Sequence, residues 1–271
     1  MSIIHNIKPK ISLDISVLKS ILEKDKNIQF QQRAEDYYFL WVDKKSTKGI
    51  DLTIEENNIE IRNTTLSNHY DYFLTNNLIK TIAELTKGKV FNEDNDLVNN
   101  FPIFSENEML KLEESDCKVI MVLSKENEDI AIYGTQRQVH FGFETYKKYK
   151  DLIDKPKQLI ENVFNVILNV QYHLPNYDYG NIMEVEKSNE TKTLKLLTNK
   201  TNYIIGKYDY IMFQTNNDPI IITNKILNSI LPNEWELVDE FTIVAPIIDE
   251  KKWRILIEKA SEFDQYSSFL K

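Results

Sequence analysis

Four histidines, one cysteine and six glycines are all that this 271-residue chain supplies of the residue types that most often carry catalysis or cradle a cofactor. His5, His69, His140 and His173 stand too far apart in sequence to form a zinc-spaced pair. Gly49, Gly88, Gly134, Gly142, Gly180 and Gly206 form no phosphate-cradling run. No G-x-S-x-G elbow is present, and Cys117 has no histidine to pair with as a nucleophile. The sequence therefore predicts no catalytic residue, no metal and no cofactor.

Several groups still have the right chemistry for a site. Asn92, Asp94 and Asp96 occupy the first, third and fifth positions of a calcium loop. Its sixth position, where glycine makes the sharp turn, is Leu97, and its twelfth, the bidentate glutamate, is Ile103. The segment reads as a solvated acidic loop. Glu106, Glu108, Glu113, Glu114 and Asp116 crowd one helical stretch on which Glu106 and Glu113 share a face. Paired carboxylates run acid–base chemistry only where burial raises the pKa of one of them. Charge this dense predicts an exposed face, with Glu106, Glu113, Glu114 and Asp116 offered to a basic partner. Arg137 and His140 lie three apart on one strand, so they point to opposite faces and share no chemistry. His173, Tyr177, Asp178 and Tyr179 sit in a linker. Tyrosine-rich loops recognise partners well, because each ring gives large contact area at low entropic cost. Tyr177, Asp178 and Tyr179 are the second set of candidate binding residues.

The totals narrow the partner. Basic residues number 33 and acidic residues 42, a net charge of −9. Nucleic acid needs a basic footprint, so it is excluded. Arginine, the preferred planar reader of phosphate, occurs only at Arg33, Arg62, Arg137 and Arg254. No apolar stretch approaches the length of a membrane span. A single cysteine makes no intrachain disulfide, and no secretory pattern opens the chain, so a bacterial cytosol is the expected compartment. The oligomeric state is not readable.

These residues must be positioned by recognisable elements. Ile50, Leu52 and Ile54 alternate as a half-buried strand does, Glu56-Asn57-Asn58 turns the chain, and Ile59 and Ile61 resume. Ser67 then caps a helix striped by Leu74, Leu78, Ile82 and Leu85, with Gly88 as its left-handed stop. The same strand–turn–strand–helix order recurs from Asp129 to Asp154. It recurs again from Tyr208 to Leu231, around the turn Thr215-Asn216-Asn217. Leu13–Lys24, Gln158–Val170 and Asp249–Phe263 read as helices, and Tyr37–Val42 and Lys118–Leu123 as central strands. Cys117 then opens a strand as a buried small hydrophobe. This succession predicts an α+β fold of mixed or mainly antiparallel sheets, with helices on one face. The boundaries fall at 1–155 for one subdomain, 156–180 for a connecting helix and linker, and 181–271 for a second.

Ser67, Asp71, Tyr72, Leu74, Leu78, Ile82, Leu85, Gly88, Lys89, Val90, Glu93 and Asp94 form a block that resembles uncharacterised bacterial families. Tyr208-Asp209-Tyr210, Trp235, Asp239, Ala245-Pro246 and Trp253 look similar to the ends of such proteins. The resemblance implies an immunity or accessory protein of toxin or secretion loci, and it brings no catalytic residue. Together these readings predict a non-enzymatic protein that binds another protein through an acidic surface. The rival expectation is a hydrolase-like enzyme with a carboxylate site in a cleft between the halves.

Overall fold

The computed structural model describes residues 2–187, 190–215 and 218–269. The chain divides into two compact units, 1–172 and 173–271. The expected connecting segment 156–180 is split by this division, its helix going to the first unit and its linker to the second.

The first unit runs β1 (Ile3–Lys8), α1 (Ile15–Leu22), β2 (Ile28–Ala34), β3 (Tyr37–Val42), β4 (Ile50–Glu55), β5 (Asn58–Asn63) and α2 (His69–Thr86). It continues with β6 (Lys89–Phe91), β7 (Leu97–Val98), α3 (Glu106–Glu126), β8 (Ile130–Tyr133), β9 (Gln138–Phe141), α4 (Phe143–Tyr149) and α5 (Pro156–Leu168). Strands β1 to β7 make one antiparallel sheet in the order β2-β3-β4-β5-β1-β6-β7, so the Tyr37–Val42 strand is interior as expected. Strands β8 and β9 form a separate hairpin.

One face of the large sheet carries the core. Ile7, Leu40, Leu52 and Ile61 from the strands meet Leu18 of α1 and Leu74, Leu78 and Ile82 of α2. Each such side chain contributes about 1.5–3 kcal/mol by leaving water. Alternation fixes which residues face inward. On the outer face Arg62 and Asp51, paired across β4 and β5, form an ion pair of 2.7 Å.

The termini of α2 differ from the expected ones. Its cap is Asn68, which accepts from Tyr70 and Asp71 in a capping box, while Ser67 is buried and donates to the Thr64 carbonyl. The left-handed residue at the other end is Lys87, with φ of 50°. Gly88 is needed for space instead, because a Cβ there would lie 2.6 Å from Ile7 and 3.1 Å from the Lys8 carbonyl of β1.

The largest departure is α3. Lys118–Leu123 lies in the second half of this helix, not in a strand, and Cys117 is a fully buried helical residue. The Ser105–Glu108 capping box starts the helix, and buried Met109, Glu113, Cys117, Ile120, Met121 and Ser124 recur at three- and four-residue spacing. That period overrides the strand preference of the β-branched run.

The second unit contains β10 (Ile182–Lys187), β11 (Glu190–Leu197), β12 (Tyr203–Ile205), β13 (Tyr210–Phe213), β14 (Ile220–Thr223) and α6 (Asn224–Ser229). It ends with β15 (Glu236–Leu237), β16 (Ile243–Ala245), α7 (Glu250–Ser261) and α8 (Tyr266–Phe269). Strands β10, β11, β13 and β14 form a sheet that is antiparallel except at β11–β13. Strands β12, β16 and β15 form a second, antiparallel one. Ile211, Phe213, Ile222, Trp235, Trp253 and Leu256 share its core. The residues Asn216-Asn217 of the expected turn lie outside the described residues. The whole is an α+β fold with mostly antiparallel sheets. Among the described residues no helix is long and apolar enough to cross a membrane.

Candidate functional site

The acidic stretch of α3 separates into residues that hold the fold and residues that face outward. Glu113, expected on the surface, is 5% exposed. Its Oε1 accepts the His69 backbone N–H at 2.6 Å and lies 3.4 Å from the His69 imidazole. Asp116 accepts the N–H of Leu66 at 2.7 Å, where the chain turns through φ of 68°. Burial pushes the Asp116 pKa up and that hydrogen bond opposes it. Both carboxylates therefore clamp the turn that leads into α2. Glu106 and Glu113, expected on one exposed face, differ in environment: Glu106 is exposed, while Glu113 is covered by the start of α2.

Glu106 remains exposed, and Glu114 pairs with Lys118 at 2.7 Å. Glu108 is held by the Ser105 N–H and hydroxyl. The outward side of the helix is left with mixed charge around an apolar group. Val119 is 46%, Val122 59% and Leu123 40% exposed. Sequence reasoning missed these three because they read as strand core. The outward position of Val122, seven residues beyond exposed Ser115, follows only once the helix is known to continue.

A second polar cluster surrounds the start of α2. Asp71 is fully buried and accepts from the Thr47 hydroxyl at 3.1 Å and from the N–H groups of Lys48, Gly49 and Asn68 at 3.1, 2.9 and 3.0 Å. Lys48 donates to the Tyr133 carbonyl, and burial lowers its pKa to about 8. Tyr172 donates to the Ser46 carbonyl at 2.9 Å and shares a 2.6 Å bond with Thr135; burial pushes its phenol up to about 12. Every oxygen of Asp71 is filled by the protein's own donors, so this carboxylate organises a loop.

The Asn92–Asp96 segment is the turn between β6 and β7. Asn92 N–H donates to the Asp96 carbonyl at 3.0 Å, and Asp96 N–H returns to Asn92 Oδ1 at 2.7 Å. Among the described residues no three His, Cys, Asp or Glu side chains converge to hold a metal ion. Arg137 is exposed just before β9, whereas His140 is buried with Nδ1 2.7 Å from Asp129.

In the second unit, Tyr177, Asp178 and Tyr179 lie on a segment fastened beside β12. Asp178 bridges to Tyr203, and the Ile204 N–H donates to the Asp178 carbonyl at 3.0 Å. Tyr177 is half-buried, and Tyr179 is 42% exposed. Beneath this segment lies Lys195 of β11, fully buried, with no hydrogen-bond partner for Nζ among the described residues. Its ammonium sits 4.9 Å from the Tyr203 ring centroid and directly under Gly180, whose φ of 60° and bare Cα leave room for it. Burial lowers its pKa to about 8, opposed by the charge of Asp178.

Residues 2–174 match the family described as a domain of unknown function, DUF4299, and the chain belongs to that family. The match takes in the first unit and stops two residues into the second. No curated protein and no solved structure matches the chain.

Proposed function

We propose that this DUF4299 protein works by binding another protein through the outward face of α3. The observation that carries the reading is the exposure of Val119, Val122 and Leu123 within little more than one helical turn. Single exposed hydrophobic residues are ordinary, but a group of them rimmed by charge is the usual make-up of a contact surface. Valine is also a weaker helix former than alanine or lysine, so at an open position it gives the helix no benefit of its own.

Charge supports the kind of partner. The chain carries net −9, which favours and steers a basic protein. Glu114, in its pair with Lys118, stands near the apolar group on α3, Glu106 is exposed at the start of the same helix, and Tyr177, Asp178 and Tyr179 give the second unit its own contact loop. The resemblance to families of toxin and secretion loci supports a role as an immunity or accessory protein of a bacterial cytosol.

The test is co-purification from the native host with the wild type and with V119D/V122D. The expected result is a single protein retained in stoichiometric amount by the wild type and lost with the double variant, whose circular dichroism is unchanged. Equal retention by both would remove α3 from the interface.

A further inference from the structure

We propose, resting on the reading of a basic partner protein, that the open edge of β10 takes up an extended segment of that partner as an added strand. The segment carries lysine or arginine at alternate positions. Strand β10 is the outermost of the sheet β10-β11-β13-β14, so its far side presents backbone N–H and C=O groups to solvent. Among the described residues no backbone group outside β11 pairs with it.

The two edges of this sheet are treated differently. At β14 the chain closes its own edge. The Ile221 N–H donates to Asp264 Oδ1 at 2.9 Å, and the Ile221 carbonyl accepts the Gln265 N–H at 2.8 Å. Strand β10 has no such cover. Edges are usually guarded by bulges or prolines. The first unit follows that rule at β2, whose pairing with β3 is interrupted at Arg33. By contrast β10 holds an unbroken six-residue register with β11 and contains no proline. Ile182 is 49% and Met183 37% exposed on it.

Charge selects the occupant. Side chains alternate along a strand, so Ile182, Glu184 and Glu186 project from one side of the sheet, Met183 and Val185 from the other. Glu184 and Glu186 are exposed, and neither has an ion-pair partner among the described residues. Their neighbours on β11 are the neutral Thr193 and Thr191. Lys192 projects from the other side and is held by Glu190 at 2.6 Å. A second copy of this strand laid antiparallel about Glu184 sets one Glu184 carboxylate against the other, and like charges directly opposite destabilise. An antiparallel segment with lysines opposite Glu186 and Glu184 and apolar residues opposite Met183 and Ile182 suits every position. The main chain then supplies affinity and the alternating side chains supply specificity.

The probes are three synthetic peptides: TKVKVVT, TKKVVVT, which has the same composition but lysines on opposite sides, and TEVEVVT. Binding is followed by the amide NMR signals and amide hydrogen exchange of residues 182–186 in the full chain. TKVKVVT should shift these amides, slow the exchange of those on the open side, and bind about five-fold tighter than TKKVVVT, as two opposite-charge cross-strand pairs imply. E184K/E186K, changed only at exposed positions, should reverse the preference and select TEVEVVT over TKVKVVT. The proposal is overturned if β10 shows neither shift nor protection, if TKKVVVT binds as well as TKVKVVT, or if the reversed variant still selects the lysine peptide. V119D/V122D should keep the peptide response. A failed interface at α3 therefore leaves this edge standing, and a silent β10 leaves α3 standing.

Discussion

Asp71 Oδ1 accepts the backbone N–H of Gly49 at 2.9 Å, which ties the first turn of α2 to the loop between β3 and β4, 22 residues earlier. Gly49 has φ of 69°, and a Cβ there would press to 2.6 Å on Phe39. A glycine and a carboxylate are thus needed together for the loop to close.

D71N tests the carboxylate. An amide keeps the size but offers NH₂ towards N–H donors that need an acceptor. Each donor left unsatisfied in the interior costs about 1–3 kcal/mol. Urea unfolding should show a loss of about 3 kcal/mol in the transition of the first unit. A loss below ~1 kcal/mol would mean that the loop holds itself.

The acidic stretch of α3 makes a second, internally controlled case. Removing Glu113 strips the His69 N–H of its acceptor in a buried site, and removing Asp116 does the same to Leu66. E113A and D116A should each destabilise by about 1–3 kcal/mol. E106A and E114A should stay within about 0.5 kcal/mol, because exposed charges and exposed ion pairs contribute little. Thermal unfolding of the four variants separates the groups. Four similar values would return Glu113 and Asp116 to the surface role that the sequence suggested.

The contrast shows what the sequence could carry. Period-two and period-four patterns placed β4, β5 and α2, because one face of each is buried throughout. The α+β class followed from their order. The strand expected at Lys118–Leu123 failed because Val119-Ile120-Met121-Val122-Leu123 has strand composition, while the deciding signal, the Ser105–Glu108 capping box, lies a dozen residues upstream. Gly88 was correctly placed at a helix end but for the wrong reason: its neighbours are Ile7 and Lys8, remote in sequence. The candidate sites were less legible still. Lys195 is preceded and followed by leucine on β11, and a lysine on a strand reads as its solvent side.

Gly134 and Gln171 give a prediction about coupling. Gln171 is buried in the π-helical turn Asn169–His173 that follows α5. Its amide accepts the N–H groups of Gln136 and Arg137 at 2.6 and 2.9 Å and donates to the Arg137 carbonyl at 2.7 Å. A Cβ on Gly134 would overlap that amide. G134A should therefore destabilise by about 1–3 kcal/mol by displacing Gln171. In a Q171A background the same change should cost far less, since the obstacle and its bonds are already gone. A double-mutant cycle by urea unfolding reads the coupling. Additive effects would mean that Gly134 is required by its backbone alone.

Lys195 gives the pH-dependent case. Its folded pKa of about 8 lies below the 10.5 of a free lysine, because burial disfavours the ammonium. The unfolded chain therefore binds the proton more tightly, and protonation favours unfolding. Above pH 10.5 both states are neutral and the group has no cost. As pH falls from 10.5 to about 8 the second unit loses stability, and below 8 the loss is constant. Allowing for residual solvent screening, it amounts to about 2 kcal/mol. K195M replaces the amine with an apolar chain of similar length, so at pH 7 it should stabilise by about that amount. The gain should shrink steadily towards pH 10.5, read from urea unfolding at several pH values. A variant that destabilised at pH 7 would show that the lysine side chain, packed against Tyr203, contributes more to this unit than its buried amine costs.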